Sequence, residues 1–138
     1  MVANADKIGT QVTVSNDNRI TRIGAVIRKY RIDEIPQLFN ILLGDMSLVG
    51  TRPESVHYVK HYTPEMMATL LMPAGVTSEA SILYKDEAKL LDKADDVDRV
   101  YIERVLPDKM KYNLENIRKF GCWRDIVIMI KTVFAVIH

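Results

Sequence analysis

Ile32-Asp33-Glu34-Ile35-Pro36-Gln37-Leu38-Phe39-Asn40-Ile41-Leu42-Leu43-Gly44 continues directly into Asp45-Met46-Ser47-Leu48-Val49-Gly50-Thr51-Arg52-Pro53-Glu54, and the rest of the chain is read outward from this stretch. Its first half predicts a helix. Asp33 suits the N-cap, Pro36 stands in the first turn where its missing N–H costs nothing, and Gly44 suits the residue just past the end. Ile35, Leu38, Phe39, Ile41, Leu42 and Leu43 leave this helix almost no polar face, so it is expected to be buried or to lie against lipid. The second half reads as a turn-rich connection around a short apolar run, Met46 to Val49. Arg52-Pro53-Glu54 then opens another helix with proline in its first turn.

Upstream, Thr21 is a cap for a helix through Ile23, Ala25, Val26, Ile27 and Tyr30, whose spacing is helical. Gln11 to Val14 reads as a loop or an edge strand. Downstream, a Met- and Leu-rich helix over Pro64 to Met72 ends at Pro73-Ala74-Gly75. Ser81 to Tyr84 looks strand-like, and two charged helices cover about Glu87 to Val105 and Asp108 to Lys119. Trp123 to Ile137 is apolar except at Arg124, Asp125, Lys131 and Thr132. The expected class is α+β, a small and mostly helical domain with a few short strands.

The 138 residues suit one domain, and 48% hydrophobic with 27% charged residues describes a chain able to build its own core. A single cysteine, Cys122, excludes an internal disulfide. No apolar run approaches the roughly 18 residues of a membrane span, and no signal peptide opens the sequence. The net charge of +1 conceals a gradient. Lys7, Arg19, Arg22, Arg28, Lys29 and Arg31 stand against Asp6 and Asp17 at the start, and the following stretch to Ser78 is acidic. The two blocks meet at Arg31-Ile32-Asp33-Glu34, a polarity suited to an anionic substrate beside a metal or to an anionic lipid. Nucleic acid is disfavoured, since no aromatic residues interleave the basic block.

Adjacent carboxylates at a helix start point about 100° apart and can serve two partners, such as a phosphorus centre and a metal. The helix dipole favours their ionised form, which is the form that attacks or binds Mg²⁺. Stabilising acids at helix N-termini are also commonplace. The wider run from Ile32 to Glu54 decides between these readings, because it closely resembles the signature of bacterial sugar transferases, the monotopic phosphoglycosyl transferases. Asp17-Asn18-Arg19-Ile20-Thr21-Arg22-Ile23-Gly24, Ile27-Arg28-Lys29, Trp123-Arg124-Asp125-Ile126 and Lys131-Thr132 resemble flanking segments of the same family. The resemblance implies transfer of a sugar 1-phosphate from a UDP-sugar to polyprenyl (undecaprenyl) phosphate, starting exopolysaccharide, capsule, O-antigen or glycoprotein glycan assembly. It places Asp33 as the nucleophile that carries the phosphosugar and Glu34 as its partner, with both as ligands of a Mg²⁺ cofactor. Arg52 and Arg28 fall at phosphate-binding positions. The implied location is the cytoplasmic face of the bacterial inner membrane, with the membrane surface as a partner.

Departures from the family pattern qualify this. Thr51 replaces a usual proline, Arg31 replaces a small polar residue, and Asn113 replaces a frequent aspartate. The segment after Ala74-Gly75-Val76-Thr77 lacks the usual glycine- and tryptophan-containing stretch. Relatives open with a hydrophobic membrane helix, and Met1 aligns near its end, so residues 1–138 are expected to be a catalytic domain truncated at its N-terminus. The alternative is a non-catalytic membrane-surface or partner-binding remnant. The C-terminal segment, with Trp123, Arg124 and Lys131 beside Ile126, Ile128, Ile130, Val133, Phe134 and Ile137, fits an interfacial helix or a buried core helix equally well by pattern. His57 and His61 have a chelating spacing but no compelling third ligand. Asp92, Asp95, Asp96 and Asp98 read as a solvated helix start, and Cys122 as structural.

Overall fold

The computed structural model describes residues 2, 12, 17–92, 94 and 96–137. Helix α1 (Arg22–Lys29) begins as its sequence requires, with the Thr21 side chain accepting a hydrogen bond from the Gly24 amide at 3.1 Å. Arg31 then adopts a left-handed backbone, φ 55°, and Ile32–Glu34 form one 3-10 turn stacked on α2 (Ile35–Leu43). The expected role of Asp33 as N-cap is therefore corrected. The residue before α2 is Glu34, which is already right-handed and makes no capping bond. The 3-10 turn meets the first amides of α2, and Pro36 has none to meet, so the Asp33 carboxylate is released from capping. Gly44 closes α2 at φ 86°, the conformation its position predicted.

Met46–Val49 is a strand, β1, paired in parallel with β2 (Ala74–Thr77) in the register Met46↔Ala74, Ser47↔Gly75 and Val49↔Thr77. Parallel neighbours need a crossover. It consists of α3 (Val56–Val59), α4 (Pro64–Met67) and a 3-10 turn over Ala68–Leu71. Residues 51–55 are not helical, against expectation: the Gly75 amide donates to the Thr51 carbonyl at 3.0 Å, so this stretch is tied back to β2 before α3 begins. The strand-like Ser81 to Tyr84 instead lies in and just past α5 (Glu79–Leu83). Ser78 caps that helix by accepting from the Ser81 amide at 3.0 Å.

Helix α6 (Glu87–Leu91) precedes α7 (Val97–Val100), which runs without a break through a π turn (Tyr101–Val105) into α8 (Leu106–Arg118). The predicted interruption between two charged helices is thus displaced to lie between Leu91, the end of α6, and Val97, the start of α7. The π turn absorbs Pro107, which cannot donate to the preceding turn, and lets the helix continue. Of the acidic cluster, Asp96 caps α7 and Asp98 accepts from the Tyr58 hydroxyl at 2.5 Å, whereas Asp95 lies outside the described residues. Most of the expected Gln11–Val14 element lies outside them also. Helix α9 (Cys122–Ile137) completes the chain, with Cys122 exposed at its start.

Tyr58, Leu91, Tyr101, Val105, Leu106 and Met110 form the core together with Val12, so it sits between α3 and the α6–α8 segment. Helix α2 buries no residue. The fold is therefore α+β and mostly helical, and its apolar α2 is an exposed surface feature.

Candidate functional site

Asp33, Glu34, Arg28 and Arg52, the four candidate residues, line one cavity of about 580 Å³, within the range of small-molecule sites. Arg28 comes from the last turn of α1, the two acids from the 3-10 turn, and Arg52 from the extended segment after β1. Asp33 is exposed and Glu34 half-buried. Arg52 donates to Glu34 Oε1 at 3.0 Å, and Arg31 reaches the same oxygen at 3.0 Å. Arg31 can do so because its left-handed backbone turns the chain sharply at the basic–acidic junction. Two guanidiniums on one carboxylate oxygen fix Glu34 while keeping both cations at the cavity wall, where they can meet a phosphate.

Arg52 is also held from below. The Gly50 amide donates to the Thr77 carbonyl at 2.9 Å, and Arg52 itself donates to the Val76 carbonyl at 3.5 Å. Its aim is thus set by the strand pair. Because guanidinium offers a planar fork that an ammonium cannot copy, Arg52→Lys is expected to weaken binding of a phosphate at this wall about tenfold with little change in melting temperature. Titration of inorganic pyrophosphate beside a thermal melt checks this.

The same cavity has a second ion cluster that the sequence did not reveal. Lys109, 8% exposed, donates to Glu54 Oε1 at 2.9 Å, Glu87 Oε2 at 3.1 Å and the Tyr101 hydroxyl at 2.9 Å. Those three bonds satisfy its three protons, which a buried ammonium requires. The Tyr101 hydroxyl lies 2.8 Å from Glu54 Oε2, and burial together with Glu54 and Glu87 raises its pKa, so it stays neutral. Nearby, Tyr84 donates to Asp108, and this bond, followed by burial, pushes the tyrosine up to about 12. Glu54 was visible as part of the signature run, but Glu87 comes from α6 and Tyr101 and Lys109 from the continuous helix through α8, and none of the three carried a local signal.

Mg²⁺ favours one or two carboxylates with water and phosphate oxygens completing an octahedron. Asp33 and the second oxygen of Glu34 supply hard donors of that kind, so the residues present fit the ion. Among the described residues no cluster of three or more His, Cys, Asp or Glu forms a closed protein cage. His57 and His61 stack edge to face at 5.8 Å.

Helix α9 turns its polar residues inward. Arg124 donates to Glu79 Oε2 at 2.9 Å and to Asn116 Oδ1 at 3.0 Å, and the Thr132 and Thr77 hydroxyls meet at 2.7 Å. Trp123, Val127, Ile130, Val133 and Phe134 are left exposed, while Ile128 is buried. No helix among the described residues is long and apolar enough to cross a membrane.

Residues 1–138 match the sequence model of the family described as bacterial sugar transferase. The chain is 36% identical, over 99% of its length and 30% of the relative's, to a UDP-N-acetylgalactosamine-undecaprenyl-phosphate N-acetylgalactosaminephosphotransferase of Aeromonas hydrophila. It is 34% identical, over 94% of its length and 26% of the relative's, to a UDP-glucose:undecaprenyl-phosphate glucose-1-phosphate transferase of Escherichia coli. A galactosyl transferase of Streptococcus agalactiae is 33% identical over 94% of the chain and 25% of its own length. The chain thus spans less than a third of the length of these three relatives. With the full-length family match and the dyad, arginines and strand-held loop in one cavity, the chain belongs to the bacterial sugar transferase family.

Proposed function

We propose that this chain is the catalytic domain of a phosphoglycosyl transferase that moves a sugar 1-phosphate from a UDP-sugar to undecaprenyl phosphate. The observation that carries the reading is the convergence of Asp33, Glu34, Arg28, Arg31 and Arg52 on one cavity. Its relatives are named for transfers between those substrate classes. A carboxylate oxygen of Asp33 attacks the β-phosphorus of the UDP-sugar, the bond from that phosphorus to the bridging oxygen breaks, and UMP leaves with the electron pair. An oxygen of undecaprenyl phosphate then attacks the same phosphorus and returns the Asp33 carboxylate. One difficult displacement becomes two easier ones. Arg28, Arg31 and Arg52 hold phosphate oxygens and lessen their repulsion of an incoming carboxylate, and Glu34 fixes the two arginines it contacts. Mg²⁺, held by Asp33 and Glu34 with phosphate oxygens, would supply further charge neutralisation. The direct test is UMP release from UDP-glucose and UDP-N-acetylgalactosamine, with undecaprenyl phosphate in detergent, with and without Mg²⁺. Absence of UMP from a panel of UDP-sugars overturns the reading.

The acceptor's hydrocarbon tail requires a membrane surface, which we place at the cytoplasmic leaflet, and two exposed apolar elements support contact with a membrane. Leu42 and Leu43 of α2 are 83% and 75% exposed, and Trp123 and Phe134 of α9 are 81% and 62% exposed. An interfacial helix with aromatic and basic residues fits such a surface, whereas a core helix would hide its apolar side. The protein is expected to float with anionic vesicles. Leu42→Glu combined with Phe134→Glu should leave most of it unbound, since each change removes about 2 kcal/mol of apolar burial in the bilayer. Both side chains are exposed, so circular dichroism should be unchanged. Equal flotation of both proteins would remove the membrane-surface assignment.

A further inference from the structure

The cavity wall contains two ion clusters of different balance. At the dyad, Arg31 and Arg52 share Glu34, and phosphate is the natural guest. In the second cluster Lys109 answers two carboxylates, Glu54 and Glu87, leaving one negative charge in excess. A phosphate is repelled there. Two polar groups of this region remain uncommitted. Glu87 gives Oε2 to Lys109, and its other oxygen accepts no bond among the described residues. The Ser55 hydroxyl is buried without a hydrogen-bond partner and lines the same cavity. A buried hydroxyl left unsatisfied costs about 1–3 kcal/mol, which a ligand that supplies the missing bond recovers. Glu87 can only accept and Ser55 can do both, so the complementary guest carries no negative charge and brings its own hydrogen-bond donors, as a sugar hydroxyl does.

We propose that Glu87 and Ser55 form a hydroxyl-binding subsite that takes sugar hydroxyls of the sugar nucleotide while the diphosphate occupies the arginine cluster. The subsite rests on the sugar-nucleotide reading given above. Lys109 holds the Glu87 carboxylate in place, and Glu54, saturated by Lys109 and Tyr101, serves as the counter-charge. Hydroxyls are present both on the ribose and on the glycosyl group, and binding measurements separate these sources.

The test is titration calorimetry of UDP, UDP-glucose and UDP-N-acetylgalactosamine into Asp33→Asn protein, which prevents turnover, with and without Glu87→Gln. Loss of a hydrogen bond to a charged acceptor should weaken binding about ten- to hundredfold. A loss confined to the UDP-sugars places the bound hydroxyls on the glycosyl group, and an equal loss for UDP places them on the ribose. Ser55→Ala, which leaves the ion cluster untouched and removes no capping bond, should weaken the same ligands about three- to tenfold. It keeps the test decisive if Glu87→Gln fails to fold. Unchanged affinity in a folded variant of either residue overturns the subsite while leaving the transferase reading intact. Failure of the Asp33→Asn protein to bind any of the three ligands overturns the sugar-nucleotide reading and the subsite with it.

Discussion

Asp33→Asn should lower UMP release by about 10⁴-fold or more and abolish covalent capture of labelled sugar phosphate, because an amide oxygen at neutral pH neither attacks phosphorus nor forms a stable acyl phosphate. The fold should survive. Asp33 is exposed and does not cap α2, so its carboxylate holds no local structure together. The substitution therefore separates chemistry from stability cleanly. Glu34→Gln should behave differently. Its Oε1 receives both Arg31 and Arg52, so an amide there loosens two phosphate-binding groups at once and should raise KM together with lowering kcat. The measurement is a single-turnover assay with a radiolabelled UDP-sugar, followed by denaturing gel analysis of the protein for label. Persistent labelling of the Asp33→Asn protein would assign the nucleophile elsewhere, and full UMP release without label in the wild type would replace the covalent route by direct transfer.

The sequence exposed what is local. Thr21 and Gly44 mark the ends of α1 and α2 because a hydroxyl cap and a left-handed glycine are chemical requirements of a helix terminus. The dyad and Arg52 could be grouped because the run containing them is continuous, and they do line one cavity. Features that depend on distant partners escaped. Met46–Val49 has only four residues, too few for a period to show, and its pairing with Ala74–Thr77 spans a crossover of three short helical pieces. The orientation of α9 was equally hidden: a helical pattern of Arg124, Ile128 and Thr132 separates a face, but which side meets the body depends on Glu79, Asn116 and Thr77 waiting there. Lys109 carried no signal in a charged helix, because its acceptors are Glu54 and Glu87 from two other segments and Tyr101 from about two turns earlier in the same helix. Asp33 departed from its expected role for a subtler reason. The left-handed Arg31 inserts a tight turn before α2, and that turn makes a cap unnecessary.

Gly75→Ala is expected to be the most damaging single methyl in the protein's small sheet. A Cβ at that position would lie 2.1 Å from the Gly50 nitrogen, 2.4 Å from its Cα and 2.5 Å from its carbonyl oxygen. These are backbone atoms, which no rotamer change can move aside, so β1 and β2 must part locally. The bonds that suffer are the 3.0 Å contact from the Gly75 amide to the Thr51 carbonyl and the 2.9 Å contact from the Gly50 amide to the Thr77 carbonyl. A clash of this kind costs about 3 kcal/mol or more, which for a domain of this size lowers the melting temperature by roughly 10 °C. Gly44→Ala is the proper control. That position has open space around it but φ 86°, so the penalty is conformational, about 1 kcal/mol. Activity should separate the two further. Gly44 ends a surface helix, whereas Gly75 pins the segment carrying Arg52, so Gly75→Ala should raise KM for the sugar nucleotide even below its melting transition. Urea titrations of both variants, with hydrogen exchange read at the Gly50 amide, measure the stability and the local opening together. A Gly75→Ala protein with wild-type stability and wild-type protection at Gly50 would mean that this close approach of the strands does not set the position of Arg52.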